Sequence, residues 1–352
     1  MTTLYAGVAG TVGTSHSGNL VGVFRQEAGD TRWQKLGGGL PEDGEVHAIA
    51  VHPSEPNIVY VGTTKGLYRS PNRGERFEHC PMVGPDPDVW SILFDPTNPR
   101  TIYAGASPVS VYKSEDGGNS WKRLVDPPLP DRVHMAFPCR VMRLDVDPNS
   151  PDDVYATLEA NGTMRSRDGG EYWEDCTADL IRFCEQDQKY RSRIGSQTEI
   201  EGMLDGHALA CSGAAPGSVF LANRMGLFRS DDKGEHWQDM EIGRFSPLTY
   251  GRDIRTSPLD PKVMYAALSP AARSTDGSVW RSDDVGRTWT RFDHGIKADA
   301  TMMGVAPHPT DPNQVYAISR AGQVFGTQDG GKNWSESRLP DGVRDSYCIA
   351  CG

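Results

Sequence analysis

Short apolar runs recur along the chain in pairs, joined by polar stretches rich in proline. Val51-His52-Pro53-Ser54-Glu55-Pro56-Asn57-Ile58-Val59-Tyr60 leads from one run into the next, and the same pattern returns at 94–103, 146–155, 256–265 and 307–316. The runs are rich in Val, Ile, Tyr and Phe and are bounded by Gly, Pro, Asn and Asp, which reads as strands separated by tight turns. A third run follows closely, as Gly66-Leu67-Tyr68-Arg69-Ser70 follows Val59-Tyr60-Val61-Gly62. A fourth begins at an aromatic residue further on. The predicted unit is therefore four antiparallel strands, A to D, with a Pro-rich turn between A and B.

The link from C to D is an eight-residue phrase, clearest as Ser282-Asp283-Asp284-Val285-Gly286-Arg287-Thr288-Trp289. It returns at 114–121, 166–173, 230–237 and 327–334 as S/T-x-D-x-G-x-x-W, with a weaker copy at 70–77 and a degenerate one at 26–33. The Asp suits hydrogen bonding to backbone N–H groups across a turn, the Gly suits a positive φ, and the Trp suits the gap between sheets. The closing aromatics stand at 33, 77, 121, 173, 237, 289 and 334, in steps of 44, 44, 52, 64, 52 and 45 residues. One supersecondary unit repeated seven times predicts an all-β chain, a single seven-bladed β-propeller of four-stranded antiparallel blades spanning 1–352. Leu4-Tyr5-Ala6-Gly7 reads as a B strand, and Ser346-Tyr347-Cys348-Ile349-Ala350-Cys351 as an A strand with no B after it. Pairing of the N- and C-terminal strands is expected to close the ring.

The phrase resembles the Asp box, or BNR repeat, of sialidases, sortilin-type receptors, xyloglucanases and the seven-bladed photosystem II assembly factors. The resemblance implies a propeller in which the boxes are structural, lying on the rim away from any active site. Sialidases carry an early F/Y-R-I-P motif and six blades, whereas this chain has only Val23-Phe24-Arg25-Gln26 and seven repeats. Asp-box xyloglucanases work in a cleft between two propellers, and sortilin-type receptors have more blades, a cysteine-rich module and a membrane span. The assembly factors match best in size, without the export signal expected of them.

Composition narrows the partners. With 36 basic and 47 acidic residues the chain carries −11, and no basic cluster interrupts it, so neither nucleic acid nor an anionic membrane is expected to bind. No apolar run reaches the length of a membrane span, and residues 1–7 lack the charged and apolar regions of a signal peptide, so the expectation is a soluble, cytoplasmic protein. Seven cysteines with no repeated spacing do not suggest a disulfide framework. Cys348-Ile349-Ala350-Cys351 has C-x-x-C form, but on a buried strand its thiols are expected to pack.

Candidate chemistry concentrates on one face. In a propeller the D-to-A and B-to-C loops open together, here on the top face, and the long insertions 125–139 and 175–205 fall there. The first carries Arg132 and His134, and the second Arg193, Glu199 and Glu201; the loop 11–18 carries His16. Innermost A strands line a central channel, and repeat alignment makes His47, Trp90, Met142, His207, Arg252, Met303 and Tyr347 equivalent. Two residues earlier come Glu45, Asp88, Arg140, Asp205, Tyr250, Thr301 and Asp345. Polar groups converging on one mouth are what a ligand site looks like.

Two functions follow for that mouth. The first is an enzyme, hydrolase or lyase, acting on a small anionic, carboxylate-bearing molecule. His47 or His207 would serve as base, with Glu45, Asp205, Glu201 and Tyr347 as further catalytic groups. Arg140 and Arg252 would anchor the carboxylate beside Trp90, Tyr250 and Met303. His47, His207, His134 and His16 are also candidate ligands for Zn²⁺, Mn²⁺ or Fe²⁺, against the plain reading that each is a hydrogen-bonded propeller residue. The second function is a non-catalytic interaction scaffold using the same mouth. Glycosidase chemistry ranks last.

Overall fold

Seven four-stranded sheets account for the strands, and consecutive strands pair antiparallel within each. The computed structural model describes residues 2–10 and 20–352. Innermost in the blades lie Val46–Val51, Asp88–Phe94, Val141–Asp147, Gly206–Cys211, Tyr250–Thr256, Met302–Pro307 and Ser346–Cys351. Each touches its two neighbours around a closed ring. Alternation does not explain the burial of strand B: all of Val59–Thr63 and Val219–Asn223 is buried, since a blade is covered on both faces by its neighbours. The apolar core accordingly lies between blades. Phe220 and Ala222 of one blade, for example, pack with Met264, Trp280 and Trp289 of the next.

The ring closes as the terminal runs predict. Thr3–Val8 pairs antiparallel with Gly22–Glu27 on one side and with Ser346–Cys351 on the other, joining Leu4 to Cys351 and Gly7 to Cys348. The first blade is thus built from both ends of the chain.

The boxes on the opposite rim are hydrogen-bonded turns. In each of the five full copies the opening hydroxyl donates to the box Asp and accepts the N–H of the Gly two residues beyond that Asp, as Ser282 does with Asp284 and Gly286 at 2.9 and 2.8 Å. The Asp accepts the N–H four residues on, from Ser120, Tyr172, His236, Thr288 and Asn333. Neighbouring blades use the same turns as fastening points. Tyr60 Oη donates to Gly117 O at 2.8 Å, and a Cβ at Gly118 would stand 2.1 Å from that hydroxyl, so Gly118 serves both its φ of 82° and a close approach.

Two results are expected from these turns. Val285 is a β-branched residue at φ 58°, where three other boxes place Gly117, Gly169 and Gly330. Val285→Gly should raise stability by up to about 1 kcal/mol, read as a higher urea midpoint, since relief of backbone strain outweighs the added chain entropy. A lower midpoint would mean that packing of the Val side chain dominates. The box carboxylates also set an acid limit. Hydrogen bonds from Ser120 hold Asp116 down to about 2, those from Asn333 do the same for Asp329, and Asp168, Asp232 and Asp284 are lowered as well. A carboxylate depressed in the folded state stabilises fully above its unfolded value of about 4 and loses that contribution as pH falls towards 2. Melting temperature should therefore drop steeply below about pH 4, and a flat profile there would count against these bonds.

Met135 and Phe137 of the insertion 125–139 and Ile194 of the insertion 175–205 line one pocket with Arg252 and Tyr347 of the innermost strands. Residues 175–205 form helix α1 (Ala178–Gln186), whose Leu180 and Cys184 pack with Tyr155, Phe228 and Trp237 across two blades, and a short helix α2 (Glu201–Leu204). All seven cysteines are free, and burial pushes the thiols of Cys348 and Cys351 up to about 12, so this pair packs rather than reacts. Among the described residues no helix is long and apolar enough to cross a membrane.

Candidate functional site

Every innermost strand breaks register at the same place. Thr63 and Gly62 of the second strand oppose Val46 and Ala48, which leaves His47 as an extra residue, a β-bulge. The same skip falls on Trp90, Met142, His207, Arg252, Met303 and Tyr347. All seven bulge residues line one cavity of about 270 Å³ in the channel. The repeat alignment had made these positions equivalent, and the bulge is the physical reason that each is aimed at the channel.

On one side of the mouth His47 stacks on Trp90, with ring centroids 3.6 Å apart, and meets the edge of Tyr347. Its Nδ1–H donates to Asp88 Oδ1 at 3.0 Å, and Nε2 lies 3.8 Å from Glu45 Oε2. Burial disfavours the imidazolium, but the hydrogen bonds to Asp88 and Glu45 outweigh it and the pKa is raised. Arg140 covers the other face of this group, its guanidinium 4.0 Å from the Trp90 centroid and 4.5 Å from that of Phe137.

On the other side Asp205 is buried, with Oδ2 3.0 Å from Arg224 Nε and 3.3 Å from His207 Nε2. Burial would raise this carboxyl, yet the charges and hydrogen bonds of His207 and Arg224 prevail and bring it down to about 2. His207 donates Nδ1–H to Gly251 O at 2.7 Å, and Nε2 faces the Tyr250 hydroxyl at 3.2 Å. Burial lowers its pKa, against the pull of the Asp205 carboxylate and the Gly251 carbonyl. Glu159 completes the wall. Its Oε2 lies 2.5 Å from Arg140 Nε, near enough for an ion pair but not aligned as a hydrogen bond. Burial raises its carboxyl to about 7, against the pull of Arg140 and with the repulsion of Asp205. Glu159 and Asp205 line one top-face pocket of about 280 Å³ together with Phe137, Tyr250, Arg252 and Tyr347.

Other expected residues stand elsewhere. The Glu201 carboxylate faces its own loop, accepting N–H groups of Ile194, Gly195 and Ser196 at 2.9 Å each, and so clips the insertion instead of facing the pocket. His134 is 86% exposed and paired with Asp131, away from His47 and His207. His16 lies outside the described residues, and among those described no group of three or more His, Cys, Asp or Glu is placed to hold a metal ion. Of the arginines on the top loops, Arg132 pairs with Asp175 and Arg193 with Glu199.

Sequence reasoning missed Glu159, Arg224 and Arg320. All three follow directly on strand B, and a repeated backbone bond seats them beside the innermost strand: Glu159 N to Arg140 O, Arg224 N to Asp205 O, Arg320 N to Thr301 O. The signal was available, since they are equivalent to Thr64 in the repeat, whose N–H bonds to Glu45 O.

Comparison with known proteins agrees with this architecture. The family described as "Sortilin, neurotensin receptor 3" matches residues 277–348, which hold the box at Asp284 and the next at Asp329. The chain is an Asp-box β-propeller. This Asp-box propeller is 30% identical over 153 residues to xyloglucanase Xgh74A of Acetivibrio thermocellus, a match covering 34% of the chain and 18% of that enzyme. The GH74 xyloglucanase of Xanthomonas campestris superposes with a TM-score of 0.64 at 15% identity, over 99% of the chain and 52% of the enzyme. The structure titled "YCF48 bound to D1 peptide" superposes with a TM-score of 0.52 at 15% identity, over 87% of the chain and 84% of its own length. At these identities the superpositions speak for the fold, and the chain spans about half of the Xanthomonas enzyme.

These relatives correct the expected substrate. A small carboxylate-bearing substrate finds no counterpart among them; a hydrolase does, but in the form of glycosidases, which were ranked last from the sequence. The misreading came from counting arginines at the mouth without their partners: Arg140, one of the two supposed carboxylate anchors, is taken by Glu159.

Proposed function

We propose that the top mouth is a glycoside-hydrolase site that cleaves a neutral glycan of the β-glucan type, xyloglucan being the first candidate. The observation that carries this reading is a pair of carboxyl groups, Glu159 and Asp205, lining one pocket with Phe137, Tyr250 and Tyr347, where burial raises Glu159 while the charges of His207 and Arg224 lower Asp205. Glycoside hydrolysis needs one carboxyl protonated to donate to the leaving oxygen and another ionised to act as base or nucleophile. Glu159 holds the proton near neutrality, and Asp205 carries the charge. Phe137, Tyr250 and Tyr347 supply apolar faces for sugar rings, and Arg224 and His207 fix the Asp205 carboxylate. The names of the relatives support the substrate class. Both carboxyl groups come from one propeller, so the proposed chemistry does not use a cleft between two.

The test is release of new reducing ends from xyloglucan oligosaccharides and related neutral β-glucans, with binding of the same glycans followed by calorimetry. Cleavage by the parent supports the reading. Folded parent protein that neither binds nor cleaves any of them overturns it and leaves the scaffold function, which the peptide-bound YCF48 neighbour favours.

A further inference from the structure

We infer that the central channel holds a small inorganic anion, seated among Arg143, Arg252 and Arg255. The channel cavity is lined by these three guanidinium groups and by His47 and His207, and among the described residues no Asp or Glu lines it. Arg252 is the decisive residue. It is 7% exposed, its Nε is buried without a hydrogen-bond partner, and it makes no ion pair with any described residue. Its guanidinium stands 5.7 Å from the centroid of Tyr347, a weak cation–π contact, and it acts on Glu159 only through space, with no hydrogen bond between them. A buried, uncompensated charge costs several kcal/mol unless something pairs with it.

The acidic groups nearby are already engaged. Above the ring, Glu159 lies against Arg140 and holds its proton near neutrality, Asp205 pairs with Arg224 and His207, and Asp345 with Arg320. Behind the channel wall, Asp253 accepts N–H groups of Ile254 and Val305 and is shared by Arg143 and Arg255. Asp145 accepts those of Cys211 and Val146. Arg143, Arg252 and Arg255 feel one another: burial first, and then the charges of Arg255 and Arg252, bring Arg143 down to about 10. A guanidinium does not give up its proton at neutral pH, so the relief available to this cluster is an anion. Planar N–H forks suit a tetrahedral oxyanion such as sulfate or phosphate, and the cavity of about 270 Å³ leaves room for accompanying water. The inferred anion is resident in the scaffold and is not a substrate, so the inference stands apart from the glycan reading.

Sulfate titrated into the parent in HEPES at constant ionic strength, with melting followed by circular dichroism, tests the site. The expected result is a saturable rise of a few degrees at low millimolar sulfate, because an anion that binds only the folded state stabilises by mass action. Arg252→Met should abolish the rise. It should also melt no lower than the anion-free parent, because the unpaired charge is gone. Arg252→Lys keeps the charge without the fork, and its half-saturating sulfate concentration should be about tenfold or more higher. That variant reads the site even if Arg252→Met does not fold. Two results would overturn the inference: a parent indifferent to sulfate, or Arg252 variants that rise as the parent does. The latter is the behaviour of a general salting effect that needs no site.

Discussion

Glu159→Gln should lower glycan turnover roughly 10²–10⁴-fold while leaving the fold intact, because an amide keeps the shape of the acid but has no proton to give the leaving oxygen. The parent's pH profile carries the same information. Glu159 is raised to about 7 and works protonated, so activity should hold across mild acid and fall as pH rises through that value. Asp205, lowered to about 2, stays ionised throughout that range. The alkaline limb should vanish in Glu159→Gln, together with most of the rate. A variant of full activity, or one retaining the parent's limb, would show that Glu159 is not the acid and would withdraw the assignment. Asp205→Asn serves as the companion, with loss of rate expected at every pH.

Removing Ser346–Gly352 should be the most damaging change to stability. The deletion takes Ile349 and Cys351 out of a cluster with Leu4, Ala6, Phe24, Met303 and Ile318, and it strips the pairing from one whole side of Thr3–Val8. One buried aliphatic residue alone is worth about 2–5 kcal/mol, and the total stability of a domain is about 5–15 kcal/mol. Loss of the strand should therefore leave little or no folded ring at 37 °C. A point variant, Ile349→Asp, tests the same closure in the full chain, and its melting temperature should fall by many degrees. A melt unchanged by either alteration would mean that the ring does not depend on this strand.

The repeat is what made the fold legible. Seven returns of one phrase fixed the strand count, the turn chemistry and the closing blade, and aligning them made the seven ring positions equivalent. The bulges were not legible, because one extra residue among Val46, Ala48 and Ile49 leaves an apolar run looking like any other. Glu159 escaped because attention stayed on the innermost strands, although the turn after strand B reaches the same mouth. Glu201 shows the converse failure. An acidic residue in a long top-face loop looks catalytic until the backbone amides of Ile194, Gly195 and Ser196 are seen to occupy it. Which carboxylate meets which arginine is decided by side-chain reach across blades, and a pattern along one chain does not encode that.

The seven bulges carry a consequence for how such a molecule changes over time. A residue that sits outside the ladder makes no register-defining pair, so exchanging it leaves the strand pairing intact. Histidine, tryptophan, methionine, arginine and tyrosine occupy equivalent places here at no cost to the scaffold's regularity. The ring therefore behaves as a set of sockets arranged around a common axis. New specificities are reachable there by single substitutions, while the boxes on the far rim, where each residue type answers to the geometry of a turn, hold the frame constant.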